Sequence, residues 1–268
     1  MRLRRINVNN KKDSLRVLRD SVVKLPLYTM TPAAFIFVFV VITATAALQG
    51  AAGYGLNVIA APLLMIVDPG LVPGPMMVAA FVLTGLMLWR NRDGLELRSV
   101  RWMLIGAIPG TALASLILPY IPVRELSFVL AGLVLVGVIL SLSGLRFPPL
   151  RWILLGAGFL SGLGGTLASI GGPPVALVNQ ELKGPHLRAT LSSFFLVLSV
   201  ISVLGMIPAG RFGGREVVEG LPMLPGVVIG FLLSRPFAAY LDRGYTRYVI
   251  LGVSAIAGLL LIGQQIIH

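Results

Sequence analysis

Polar side chains that could hold a ligand are few in this chain, and most of them sit beside glycine. Gln49, Gly50, Gly53, Tyr54 and Asn57 fall in and just after one run, Gln49-Gly50-Ala51-Ala52-Gly53-Tyr54-Gly55. Thr166, Ser169, Asn179 and Gln180 fall in and after a second, where Gly162, Gly164 and Gly165 lead to Gly171-Gly172-Pro173-Pro174. Amides and hydroxyls next to backbone that glycine opens to close approach can bind by hydrogen bonds. The residues for bond-breaking chemistry are not assembled. Cysteine is absent, His186 and His268 are the only histidines, and there is no His-Glu-x-x-His motif. No residue set calls for a metal or a cofactor, and an enzyme embedded in the membrane is the weaker alternative.

The elements that must position these groups lie in lipid. Mean hydropathy is +0.91, with 56% hydrophobic and only 12% charged residues, more apolar surface than a soluble chain of 268 residues could hide in one core. From Leu25 to Trp89 the only charged residue is Asp68, and the stretches 102–123, 126–145, 152–180, 189–210, 220–234 and 248–267 carry none. A spanning helix needs roughly 20 apolar residues, and these runs show no alternation of the kind that marks a barrel. The expected fold is all-α, a polytopic transmembrane helix bundle.

The formal charge of +12 does not point to nucleic acid. Eight of the 22 lysines and arginines lie in the first 24 residues, and most others flank apolar segments, the pattern that orients a chain in a membrane. Within residues 1–30, Leu15, Leu18, Val22 and Leu25 recur at helical spacing among basic residues. This segment reads either as a helix lying on an anionic lipid surface or as a basic tail that orients the first span.

Sliding the chain by 112 positions lays Leu48 on Leu160, Gly50 on Gly162, Gly53 on Gly165 and Pro62 on Pro174. The division that follows is a basic segment 1–30, a first transmembrane repeat 31–145 and a second 146–268. If each glycine-broken segment crosses once, there are eight crossings and the halves are parallel. Both termini then share the cytoplasmic side with Trp89, Trp102 and Trp152. Counting each broken segment as two crossings divides the basic residues evenly, which the positive-inside bias disfavours, and re-entrant half-helices would change the count again.

Unwound backbone at membrane depth is tolerated where it is buried in protein or lines a cavity. A matched pair of such breaks points to a transporter's binding site. Helix ends begun inside the bilayer would turn N–H groups toward an anion. The expected binding residues are Gln49, Gly50, Gly53, Tyr54, Asn57, Gly165, Thr166, Ser169, Gly171, Gly172, Asn179 and Gln180. The competing reading makes the glycines packing seams, the reading adopted for Gly132 and Gly137. Asp68-Pro69-Gly70 suits an interfacial turn better than a proton relay. Arg235 is either a counter-charge to substrate or an interfacial, snorkelling side chain.

Gln49 to Gly55 with Pro62-Leu63-Leu64 downstream, and Gly162-Leu163-Gly164-Gly165 leading to Gly171-Gly172-Pro173-Pro174, resemble the two signature regions of the sulfite exporter TauE/SafE family. The resemblance covers nearly all of the chain after residue 30. It implies a bacterial or archaeal inner-membrane permease that moves sulfite, sulfoacetate or related small anions, often outward, and two related halves. Its partners would be a small anionic substrate and membrane lipid, with a homo-oligomer compatible. The basic N-terminal extension, and Leu167-Ala168-Ser169 where further glycine is expected, depart from the family pattern.

Overall fold

The computed structural model describes residues 30–142, 147–182 and 184–241, so the proposed N-terminal surface helix and the last apolar segment, 246–265, lie outside the described residues. The elements are α1 (Pro32–Ala52), α2 (Leu56–Val67), α3 (Gly74–Asn91), α4 (Leu97–Ile117), α5 (Val123–Leu142), α6 (Arg151–Ala168), α7 (Gly172–Val178), α8 (Gly184–Met206), α9 (Gly214–Gly220) and α10 (Leu224–Leu241), with short 3-10 turns at some joins. Strands are absent among the described residues. Among the described residues, four helical stretches are long and apolar enough to cross a membrane: Pro32–Ala52, Leu97–Tyr120, Gly184–Met206 and Gly214–Ala238. The molecule is a multi-pass membrane protein.

Its outside and inside are arranged for lipid. Ile36, Val40, Leu116, Leu204 and Leu232 face outward, while Thr45, Thr111, Ser161, Thr166, Ser202 and Ser234 are buried. Most buried hydroxyls, Thr190 excepted, find a partner: Thr45 Oγ1 donates to the Val41 carbonyl at 2.6 Å, and Ser161 Oγ to that of Gly171 at 2.6 Å. Without water, polar groups in the bilayer must find such partners.

Helix directions follow from which residues meet. Gly226 lies against Phe39 and Thr43, Gly230 against Thr43 and Ala46, and Gly50 against Ser234, so α1 and α10 run parallel. Gly220 meets Val78, and Arg90 reaches Phe231 and Ser234, so α3 runs the same way. Gly106 and Gly110 meet Leu155 and Phe159, while Gly158 and Gly162 meet Met103 and Ala107, so α4 and α6 are parallel. Gly85 touching Leu196 and Gly94 touching His186 set α8 antiparallel to α3. Thus α1, α3 and α10 run one way, and α4, α6 and α8 the other.

This corrects the expected count of crossings. Leu56, at the start of α2, is bonded to Gln49, whereas Met65, near its end, meets Ser127 at the start of α5. The chain therefore turns back at the first break, and α1 and α2 are two limbs. The same happens after α6, where Asn179 at the end of α7 bonds Met103 near the start of α4. Elements that carry the positions matched in sequence, α1 with α6 and α2 with α7, consequently point in opposite directions, as do α3 and α8. The eight-crossing, parallel arrangement does not hold.

Trp89, Trp102 and Trp152 do share one end, with Arg101 and Arg151 each 5.3 Å from the Trp102 ring. Since α1 runs parallel to α3 and Trp89 is near the end of α3, the chain enters α1 at the opposite end. The side on which the N-terminus lies falls outside the described residues. Asp68 does form a turn, its Oδ1 accepting from the Gly70 N–H at 2.7 Å.

Candidate anion site

Each break is built by a residue in the left-handed region. Gly53 (φ 96°) ends α1, its N–H donating to the Gln49 carbonyl, and Gly55 (φ 128°) opens α2. Side chains rarely adopt these angles. In the second break the position is held by Ser169 (φ 60°), the one non-glycine residue at positive φ among those described. Ile170 N–H closes back on the Gly164 carbonyl at 3.0 Å, the kind of bond that finishes a helix at a left-handed residue.

The two breaks face one cavity of about 40 Å³. Gln49, Tyr54, Gly55, Asn57 and Val58 line it from the first; Gly165, Ser169, Gly171 and Gly172 line it from the second. Tyr54 and Val58 are the side chains nearest Gly172, each 3.5 Å from where its Cβ would stand. A water needs roughly 10–15 Å³ measured this way, so the space suits a compact ion of a few heavy atoms. No charged residue is found among the described residues that line it.

Hydrogen-bonding capacity in the cavity is arranged unevenly. Gln49 Oε1 accepts from the Leu56 N–H at 2.9 Å, which fixes the carboxamide across the break. The N–H groups of Asn57 and Val58 fall in the first turn of α2, where no intrahelical acceptor exists. Asn57 Oδ1 is buried with no hydrogen-bond partner among the described residues. Buried polar atoms are seldom left so. The hydroxyls of Thr84 and Ser199 are turned back on their own helices, donating to the Ala80 and Leu196 carbonyls at 2.7 and 2.8 Å. Ser202 and Thr166 bond each other at 2.9 Å.

Seven of the residues named from sequence thus line the cavity: Gln49, Tyr54, Asn57, Gly165, Ser169, Gly171 and Gly172. The other five do not line it. Gly50 lies in the last turn of α1 against Ser234, and Gly53 is the turn itself. Thr166 is inside α6 and bonds Ser202 and Thr111 behind the cavity wall. Asn179 closes the far end of α7, donating to the Val175 carbonyl at 2.7 Å, with Gln180 beyond it. These two are separated from the cavity because α7 leads away from it.

Sequence reading missed the walls supplied by α3 (Met77, Ala80, Thr84) and α8 (Phe195, Leu198, Ser199, Ser202). A signal was present in α8, where Ser199 and Ser202 sit three apart within its otherwise apolar second half, residues 194–206. Arg90 and Arg188 were also missed as neighbours. Far apart in sequence, they donate to the adjacent carbonyls of Gly50 and Ala51, at 2.6 and 3.0 Å.

Comparison with known families decides the lineage. Residues 37–261 match the model of the family described as sulfite exporter TauE/SafE, most of the chain and both breaks included. The chain belongs to the sulfite exporter TauE/SafE family. No curated protein and no solved structure matches it significantly. Members of a TauE/SafE transporter family need a route for a small anion through lipid, and in this chain both matched breaks border the cavity just described.

Proposed function

We propose that this TauE/SafE protein is a secondary transporter that carries sulfite, or another compact anion of similar size, out through a cytoplasmic membrane. The observation that carries this reading is that both breaks line one cavity whose described lining holds no charged residue. Its donors are amide N–H groups at the start of α2 and the Asn57 carboxamide, which hydrogen-bond an anion without holding it by a full charge. Moderate binding is what a carrier needs, since substrate must also leave.

Two copies of one unit, 31–145 and 146–268, inserted in opposite orientation, fit the opposed directions of α1 and α6 and of α3 and α8. Inverted repeats supply the two alternative openings of a carrier around a midplane site. Expelling an anion from a cell whose interior is negative is favoured by about 2.3 kcal/mol per charge per 100 mV, so flux requires no coupled ion. Sulfoacetate, with more heavy atoms than sulfite, demands a larger cavity than this conformation offers. An uptake permease or channel of the same fold is the second reading, and the opposed halves favour a carrier over a channel.

Purified protein in proteoliposomes tests this. Radiolabelled sulfite should move down an imposed potential only where protein is present. Gly172→Leu should abolish the flux while the protein remains folded, because the new side chain would grow from beside Tyr54 and Val58 into the cavity. Wild-type protein that is folded and inserted yet moves neither sulfite nor a comparable anion would end the transport reading.

A further inference from the structure

The last turn of α1 brings a problem into an anion site. Its carbonyl oxygens and the negative end of the helix dipole lie at the cavity wall that Gln49 forms, where they would repel an anion. In transporters with broken helices, such carbonyl ends attract coupling cations. Here two guanidinium groups occupy that position. Arg90, from the end of α3, donates through Nη2 to the Gly50 carbonyl at 2.6 Å and through Nη1 to Ser234 Oγ at 2.8 Å, and lies 4.2 Å from the centre of the Phe231 ring. Arg188, in the first turns of α8 and 8% exposed, donates through Nη1 to the Ala51 carbonyl at 3.0 Å.

Neither arginine lines the cavity, and both reach α1 across long stretches of sequence. Both helix ends carry a backbone closure, Gly53 N–H on the Gln49 carbonyl and Ile170 N–H on the Gly164 carbonyl, but among the described residues no arginine reaches the end of α6, so the arginine pair distinguishes the first break from the second. A helix end bonded only by neighbouring backbone would have served equally well as a turn. A buried cation, Arg188, and a half-buried one, Arg90, at one helix end are costly to place in a membrane protein, and they change the potential beside the site as well as bracing the turn.

We propose that Arg90 and Arg188 are positioning residues that set the charge preference of the cavity: by neutralising the carbonyl end of α1 they make the site accept an anion and need no dissociable cation there. This rests on the transport reading above. It also ranks anions, because removing one fixed positive charge penalises a divalent anion about twice as much as a monovalent one.

Sulfite itself supplies the probe, being divalent above its second ionisation and monovalent below it. Sulfite flux into proteoliposomes should be measured on both sides of that ionisation for wild type, Arg90→Gln, Arg188→Gln, the two lysine variants and Ser234→Ala. The expected result is a KM raised about tenfold by either glutamine variant on the alkaline side, a clearly smaller rise on the acid side, and recovery by lysine. Ser234→Ala removes an anchor of Arg90 and keeps its charge, so its KM should stay within about twofold of wild type. A KM unchanged in the glutamine variants, or raised equally on both sides, would overturn the proposal. So would a Ser234→Ala defect equal to that of Arg90→Gln, since the arginine would then be only a brace. Absence of wild-type flux at either pH would overturn the transport reading, and this inference with it.

Discussion

Ser169 donates its hydroxyl proton to the carbonyl oxygen of Pro73 at 3.2 Å, joining the turn that ends α6 to the turn that begins α3, 96 residues away. The same residue holds φ at 60° and ψ at 14°, so one side chain both occupies a left-handed position and ties the second break to the neighbouring half. A β-branched residue fits that backbone poorly, whereas glycine fits it without strain.

Ser169→Val should therefore lower stability by about 1–3 kcal/mol, with the additional loss of the bond to Pro73. Ser169→Gly should stay within about 1 kcal/mol of wild type, relief of strain offsetting the lost hydrogen bond. Thermal unfolding in detergent, followed by circular dichroism, distinguishes them. Equal midpoints for the two variants would mean that the turn does not constrain this residue.

The glycines divide into turns and seams in a way that sequence showed only partly. Gly106 and Gly110 of α4, with Gly158 and Gly162 of α6, let the two helices approach until backbone meets backbone, and a Cβ on any of them would collide with a carbonyl of the other helix. Gly162, read from sequence as part of the break, belongs to this seam. Gly132, expected to be a seam residue, has nothing within 4 Å of its Cβ position. Gly158→Val should prevent stable folding or cost more than the 1–3 kcal/mol usual for overpacking, because backbone cannot step aside. Gly132→Ala should be neutral or slightly stabilising, since alanine favours a helix by about 1 kcal/mol. Yield of monodisperse protein and its unfolding midpoint check both. A well-folded Gly158→Val would contradict the close parallel packing of α4 and α6.

Asn57 offers the opposite separation, of binding from stability. The group that can donate to an anion is its Nδ2, and its Oδ1 has no hydrogen-bond partner among the described residues, so Asn57→Leu should leave the unfolding midpoint within a few degrees of wild type. A hydrogen bond to a charged ligand is worth about 1.5–3 kcal/mol, and its loss should raise the KM for sulfite roughly tenfold to a hundredfold. Flux kinetics beside a melting curve provide the check. Unchanged KM would remove Asn57 from the site.

What the sequence made legible was governed by local rules. Long uncharged runs required helices in lipid, the glycine-rich run 49–55 marked a break in the first of them, and Asp68-Pro69-Gly70 suited a turn, each decided by residues close together in the chain. Ser169 shows the limit, because a serine in a left-handed position is stabilised by Pro73, which no local pattern names. Direction was harder. A glycine break in an apolar run looks the same whether the chain continues across the membrane or turns back. The choice is made by distant contacts, such as Met65 with Ser127 and Asn179 with Met103. The meeting of Arg90 and Arg188 at α1 depends on the same distant contacts, and no local pattern announces it.

The central claim is that the space between Asn57 and Gly172 holds the transported anion. Selenite has the shape and charge of sulfite and scatters X-rays anomalously. A crystal of the wild-type protein containing selenite, at a concentration that competes fully with sulfite flux, should show an anomalous peak within hydrogen-bonding distance of the Asn57 carboxamide and the first turn of α2, absent in Gly172→Leu. A peak elsewhere in the bundle, with this cavity empty at that concentration, would contradict the account.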